Sequence, residues 1–530
     1  MGTVPTTEQQ LARAFAPLLT FAPDRHRIRT VALTVLCFGV MLGVGLQQWS
    51  NVRLGGFDLG IFDQAIRAYA HFHLPRSPIK NFHHDFPPAF SLLGDHFSPV
   101  LAFLAPLYWI WDDPRVLLIA QAALFAAGVP LVRRITVRCF ADAAPETSRT
   151  ATDLAGLVYA LGWPLFMASR EGFHEVAFAV PLTLLMLERG QARRYGGVVV
   201  AAVLLLCTKE DMGLLVATYG AVLALRSGAL DGERRGVRTG LALLVAGPVA
   251  CFTAIRWLIP AMGGVSGYYW NYGQLGPNVG AVLVRLLTDP VASFSLAVNN
   301  WEKVSLLLWL FLPLLFLPLG SATVLCALPL LAERLFSDNP SHWSMSHHYD
   351  AFLWPVLLVA AIETLARLHA RAPGRTRRWA AAVVTACLVL GLALGVARLA
   401  DPAHWEPNAP ERALVEAASF IPDGVTVEAD NNVAPHLTAR TRTLIADDTP
   451  RGADYVLLQT VKRTFPFTSA AQEQARVRLL LAHGYAQLWS EDGVVLLYRT
   501  VDEPIPGMHI PDKNSTPVKD VPPPAPSAGS

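Results

Sequence analysis

A chain of 530 residues that is 53% hydrophobic and only 16% charged cannot cover a soluble surface of its size, since soluble domains carry about 25% charged residues. An ordinary cytosolic enzyme, a disordered protein and a nucleic-acid binder are excluded. The net charge is only +2, so where the charges stand matters more than their sum.

Residues 1–29 are expected on the cytoplasmic side and end in Arg25, Arg27 and Arg29. The apolar run that starts near Thr30 is too long for the core of a cleavable signal and lacks an A-x-A site, so it reads as a signal anchor. Crossing the hydrocarbon takes about 20 apolar residues. About eleven stretches are expected to do so: 30–48, 115–132, 151–168, 173–188, 195–208, 212–226, 239–260, 304–319, 321–335, 351–367 and 379–398. With eleven spans, every arginine cluster falls on one side: Arg25 with Arg27 and Arg29, Arg133 with Arg134 and Arg138, Arg189 with Arg193 and Arg194, Arg226 with Arg234, Arg235 and Arg238, and Arg371 with Arg375, Arg377 and Arg378. The positive-inside rule makes that side the cytoplasm. The result is a multi-pass protein of the plasma (inner) membrane, with a transmembrane domain over 30–399 and outer loops at 49–114, 261–303 and near 336–350. The apolar run 98–111 is too short for a span and reads as a helix in the outer interface, with Tyr108, Trp109 and Trp111 at headgroup level.

After residue 400 the pattern changes. A helix is expected over Glu411 to Phe420, strands at 425–430, 443–447 and 454–460, a helix at 471–484, and a hairpin over 485–500 turning at Glu491-Asp492-Gly493. Alternating helix and strand makes 400–500 a small extracytoplasmic α/β domain. The Pro- and Ser-rich stretch 501–530 reads as a disordered tail. Six cysteines with no C-x-x-C pair give neither a disulfide framework nor a zinc motif.

Charged groups beside membrane spans are functional candidates by default, because they are costly there. On this topology they collect on the outer side, where nine of the 15 histidines also fall. Asp58 and Asp63 lie in FDLGIFDQ. Asp58 is either a catalytic carboxylate or the N-cap of the following helix, and Asp63 is expected to face another way. Asp95 and His96 precede the interface helix and are either functional or its cap. Arg170, Glu171 and His174 sit between the third and fourth spans. Lys209, Glu210 and Asp211 sit between the fifth and sixth, three charges wedged between apolar runs. Arg256 lies near the outer end of the seventh span, Arg334 ends the ninth, and His347 and His348 begin the tenth. A bland reading, solvated turn or interfacial polar residue, stands beside each of these. His71-x-His73 and His83-His84-Asp85 are weak metal signals. No Walker A, G-x-G-x-x-G or G-x-S-x-G motif is present, which speaks against ATP-driven transport and a Rossmann-type nucleotide-sugar enzyme.

The order FDLGIFDQ, GDHFSPVLAFLAPLYWIWDDPRVLL, REGFHE, LLLCTKEDMG and a closing YAQLWSEDGVVLLYR hairpin resembles a prokaryotic family of predicted membrane proteins known as a domain of unknown function, over about residues 30–500. More distantly, residues 30–230 resemble the glycosyltransferase C superfamily, such as protein mannosyltransferases and lipid A aminoarabinose transferases. That resemblance implies a polytopic α-helical, glycosyltransferase C-like fold. It implies transfer of a sugar from a polyprenyl-phosphate donor to an envelope glycan, lipid or protein acceptor, with inversion. It makes Asp58 the base that deprotonates the acceptor, although the paired acidic residues common in that superfamily are absent here. Under the same resemblance Lys209 would suit the lipid phosphate, since an ammonium is a point-charge partner for it. Arg170, Arg256 and Arg334 are further candidates, and a divalent cation (Mg2+ or Mn2+) held by carboxylates is compatible but not required. A transporter or flippase would instead show inverted repeats and midplane charges, and a non-catalytic envelope scaffold would use the α/β domain to bind a partner.

Overall fold

The computed structural model describes residues 25–229, 232–265, 267–268 and 270–518. Among the described residues, seven helices are long and apolar enough to cross a membrane: Arg25–Ser50, Arg115–Cys139, Pro145–Glu171, Met212–Ala229, Arg234–Ala261, His348–Arg371 and Pro373–Ala400. The other four expected stretches are helical but short or broken. Ala179–Gln191 and Tyr195–Leu206 have 13 and 12 residues. Trp301–Phe311 and Leu328–Phe336 are separated by 3-10 turns. The cause is the dipeptides Leu312-Pro313, Leu317-Pro318 and Leu328-Pro329, each of which removes a helical N–H and crowds the preceding turn. An eighth crossing arises if the pair Val279–Thr288 and Pro290–Leu296, bent by 116°, counts as one span. It lies in the expected outer loop 261–303.

The helices Met212–Ala229 and Arg234–Thr253 touch through glycines. A Cβ at Gly220 would lie 2.6 Å from the Gly240 oxygen, so the backbones approach as closely as small residues allow. At one end of the bundle several members of the arginine clusters form ion pairs. Arg133 meets Asp153 at 2.8 Å, Arg138 meets Glu188 at 2.6 Å, and Arg226 meets Glu363 at 2.8 Å.

The interface segment forms a 3-10 helix, Pro99–Leu104, and a turn of α-helix, Ala105–Tyr108. Phe103, Trp109, Ile110 and Trp111 are exposed, as a headgroup-level element requires. Tyr108 departs from the expectation: it is buried, and its hydroxyl donates to Asp63 Oδ1 at 2.8 Å. Asp63 is also clamped by Arg67 one helical turn on, so this carboxylate is consumed by structure.

The C-terminal part carries a helix Ala409–Ser419, opened by a capping box of Asn408 and Glu411, and a five-stranded sheet. The strands are β1 (Thr426–Ala429), β2 (Arg442–Ile445), β3 (Tyr455–Gln459), β4 (Tyr485–Glu491) and β5 (Val494–Arg499), in the order β2-β1-β3-β5-β4. β2, β1 and β3 are parallel; β5 and β4 form an antiparallel hairpin turning through Asp492 and Gly493, both at positive φ. The sheet is seated on the first outer loop. Trp49 stacks on His436 at 3.9 Å, Gln64 Nε2 donates to the Thr443 oxygen at 2.9 Å, His83 donates to Asp447 at 2.8 Å, and Arg451 meets Asp85 at 3.2 Å. Residues 501–518, read from sequence as disordered, hold no helix or strand but run over the surface with Ile505 buried and the Val518 amide donating to the His84 oxygen at 2.9 Å. The rest of that tail and residues 1–24 lie outside the described residues.

Candidate functional site

Asp58 sits in a single π-helical turn, Gly56–Gly60, that leads into the helix Ile61–Ala70. The glycines permit close packing: a Cβ at Gly56 would lie 2.6 Å from Ala434 Cβ, and one at Gly60 2.9 Å from Ile79 Cδ1. Asp58 does not cap the helix, since no amide bonds to its side chain there. The turn is held from the sheet instead: the Gly56 amide donates to the Asn431 oxygen at 2.7 Å and the Phe57 amide to Asn431 Oδ1 at 2.9 Å. The carboxylate is left 36% exposed, with Oδ1 3.3 Å from His174 Nε2.

Three further expected residues gather around His174. Its ring stacks on His348 with centroids 3.6 Å apart. Glu171 accepts from His347 Nδ1 at 2.5 Å, from the His348 amide at 2.6 Å and from His348 Nδ1 at 2.8 Å. Burial alone would lower the His174 pKa; the hydrogen bond to Asp58 and the charges of Glu171, Asp58 and Glu175 overcome it and hold the ring up at about 9. His174 is then an imidazolium at neutral pH, facing Asp58. Arg334 pairs with buried Asp350 at 2.5 Å and donates to the His342 and Tyr349 oxygens at 2.8 and 3.3 Å. Its geometry pins the loop that carries His347 and His348.

A second group lies beside the first. His96 Nδ1 donates to Glu210 Oε1 at 2.7 Å, and the Phe97 amide to Glu210 Oε2 at 3.0 Å. Lys209 meets Asp211 at 3.6 Å, and Asp95 meets Lys80 at 3.2 Å. Burial would raise the Glu210 carboxyl, but the charge and hydrogen bond of His96, with Lys209, bring it down to about 2. Burial would lower Lys209; Asp211, Glu175 and Glu210 hold it above its ordinary range. Glu333 lies within electrostatic reach of Asp211, Lys209 and Glu210. Lys209 is thus enclosed by carboxylates, a poor setting for a phosphate.

Two expected residues stand apart. Arg256 is exposed on a π-helical turn, Ala254–Leu258, with no partner among the described residues. Arg170 is half-buried at the end of Trp163–Glu171, facing Arg53 and Arg398 rather than the histidines. Sequence reasoning missed Lys80, Glu175 and Asn431. Glu175 follows Glu171 by four residues inside REGFHE, and Asn431 directly follows a strand of the parallel set, the end where open α/β sheets present site residues. Lys80 carries no comparable signal.

Glu171, His174 and His348 each offer one ligand atom within 4.8 Å of the others, with Asp58 adjoining through His174. Two imidazoles and a carboxylate fit a transition ion such as Zn2+ or Mn2+ better than Mg2+, which prefers oxygen donors. These residues would hold such an ion, which would supply Lewis-acid polarisation.

The profile of the family described as "Predicted membrane protein (DUF2079)" matches residues 49–496. The chain belongs to the DUF2079 family. Among curated proteins, none matches it. Its fold resembles the crystal structure of ArnT from Cupriavidus metallidurans bound to undecaprenyl phosphate, with a TM-score of 0.51 at 12% identity, over 90% of this chain and 98% of that one. This member of the DUF2079 family therefore has an ArnT-like fold.

Proposed function

We propose that this protein is a membrane glycosyltransferase that moves a sugar from a polyprenyl-phosphate donor to an extracytoplasmic acceptor, with Asp58 as general base. The likeness to ArnT along nearly the whole chain carries the reading. Asp58 supports it: an accessible carboxylate in the first loop, held by backbone contacts and facing a histidine cluster. The arginine-rich far end supports an orientation with the Asp58 end outside, the N-terminus cytoplasmic and the sheet extracytoplasmic.

Asp58 takes the proton of the acceptor hydroxyl. The oxygen attacks the anomeric carbon from the face opposite the phosphate, the bond from that carbon to the phosphate oxygen breaks, and the polyprenyl phosphate leaves with the electron pair. The anomeric configuration inverts. The His174 ring, within hydrogen-bond distance of Asp58, keeps the carboxylate oriented until the proton arrives. Glu171 in turn holds His347 and His348, so the cluster moves little during the step.

The test is a panel of undecaprenyl-phosphate sugars presented to purified protein in nanodiscs with envelope lipid and glycan acceptors. Mass spectrometry is expected to find undecaprenyl phosphate released and an acceptor gaining one sugar with inverted linkage. Movement of intact donor between leaflets, with no release, would favour a flippase instead.

A further inference from the structure

The site as described has a carboxylate base but no good berth for the donor's phosphate, because Lys209 is enclosed by Glu175, Glu210 and Asp211. A different place meets the requirement. The helix Pro373–Ala400 crosses Trp163–Glu171 where a Cβ on Gly395 would lie 2.1 Å from the Phe166 ring. About one turn further along each helix, in the same direction, come Arg398 and Arg170. The helix Arg25–Ser50 closes the third side: Gln47 Nε2 donates to the Arg398 oxygen at 2.9 Å, and Arg53 follows within two turns. The Arg170 guanidinium lies within electrostatic reach of those of Arg398 and Arg53. A π-helical turn, Leu392–Val396, distorts the helix just before Arg398, an irregularity frequent at functional positions.

Of the surrounding carboxylates two are committed elsewhere and the third balances Arg53, which leaves Arg170 and Arg398 without an acid. Glu171 serves His347 and His348, Asp401 pairs with His404 at 2.9 Å, and Glu411 pairs with Arg53 at 2.8 Å. Among the described residues, Arg170 and Arg398 have no side-chain hydrogen bond or ion pair. Cations gathered at a membrane boundary without counter-charge repel and are costly. A phosphate removes both penalties, and guanidinium forks bind it bidentately.

We infer that Arg170 and Arg398, supported by Arg53, form a site for a phosphate headgroup that lies beside the Asp58 cluster and, on the reading above, receives the phosphate of the polyprenyl donor. Arg170 and Glu171 end the same helix, so a phosphate seated here lies at the end of the bundle that holds His174 and Asp58.

The test measures binding of three probes to the full chain in detergent by native mass spectrometry: undecaprenyl phosphate, phosphatidylglycerol and inorganic phosphate. The double variant Arg170→Gln/Arg398→Gln is compared with Arg375→Gln/Arg378→Gln, which removes the same charge from the exposed far end. The expected result is at least tenfold weaker binding of undecaprenyl phosphate in the first variant and no change in the second. Should the glutamine pair not fold, Arg170→Lys/Arg398→Lys keeps the charge and loses the fork, and a several-fold loss is expected. Equal binding by wild type and the glutamine or lysine pair overturns the inference while leaving the donor reading intact. Arginine-dependent binding of phosphatidylglycerol or phosphate, with undecaprenyl phosphate bound no better, upholds the headgroup site and removes the donor reading. Wild type that binds none of the three probes overturns the site.

Discussion

The two ends of the helical bundle handle charge in opposite ways. At one end Arg133, Arg138 and Arg226 each find a carboxylate, and the last network closes: Arg226 meets both oxygens of Glu363, which also accept from Ser321, Thr323 and Gln191. At the other end, histidines are stacked 3.6 Å apart, carboxylates crowd around Lys209, and Arg170 and Arg398 stand together without an acid. Buried charge that is fully paired holds a structure together. Charge left unbalanced is a cost that persists where a ligand or reaction completes it. On the proposed function, chemistry belongs to the end with Asp58 and stability to the end with Glu363.

Substitutions at the two ends should therefore fail differently. Asp58→Asn should cut sugar transfer by about 10²–10⁴-fold, the usual range for a lost general base, with an unchanged melting curve in detergent; retained transfer would remove the role given to Asp58. Arg226→Ala should do the reverse. Leaving Glu363 without its cation should destabilise the fold by about 2–3 kcal/mol, read as a lower melting temperature, while undecaprenyl phosphate binding by the folded fraction stays the same. Replacing both partners, Arg226→Leu with Glu363→Leu, should recover much of that loss.

A smaller effect is expected from Asn431→Ala, which removes the side-chain acceptor for the Phe57 amide. The net loss of about 1 kcal/mol should appear as faster hydrogen exchange at residues 56–60 and up to roughly fivefold slower transfer, with little change in melting. The mildest test is pH. Burial and the nearby Arg115 charge hold His436, stacked on Trp49, down at about 4. Its folded value lies below the ordinary 6.5, so the neutral ring contributes stability that is complete above 6.5 and is lost as pH falls toward about 4. Protection of the contact between the sheet and the first helix should fade over that window, and His436→Phe should flatten the dependence.

Long apolar runs made seven spans legible in the sequence, and short β-branched runs bounded by Gly and Asp made every strand legible. The turn at Asp492-Gly493 was legible because only its positive φ suits that hairpin. Hydropathy alone was blind to the breaks over 304–335, because Leu-Pro pairs are apolar yet cannot continue a helix. Clustering of acids and histidines in the outer loops pointed to a site, but partners were hidden. That Tyr108 and Arg67 would take Asp63, leaving Asp58 open, depends on contacts from three separate segments. The sheet's grip on Asp58 through Asn431 spans more than 370 residues of sequence, a distance that no local pattern covers.

The account stands or falls on where a polyprenyl phosphate binds. A cryo-electron microscopy structure of the protein in nanodiscs with undecaprenyl phosphate should show the phosphate between Arg170 and Arg398, on the Asp58 side of the bundle. Density for it at the Arg226–Glu363 end, or beside Lys209 with Arg170 and Arg398 unchanged, would contradict the account.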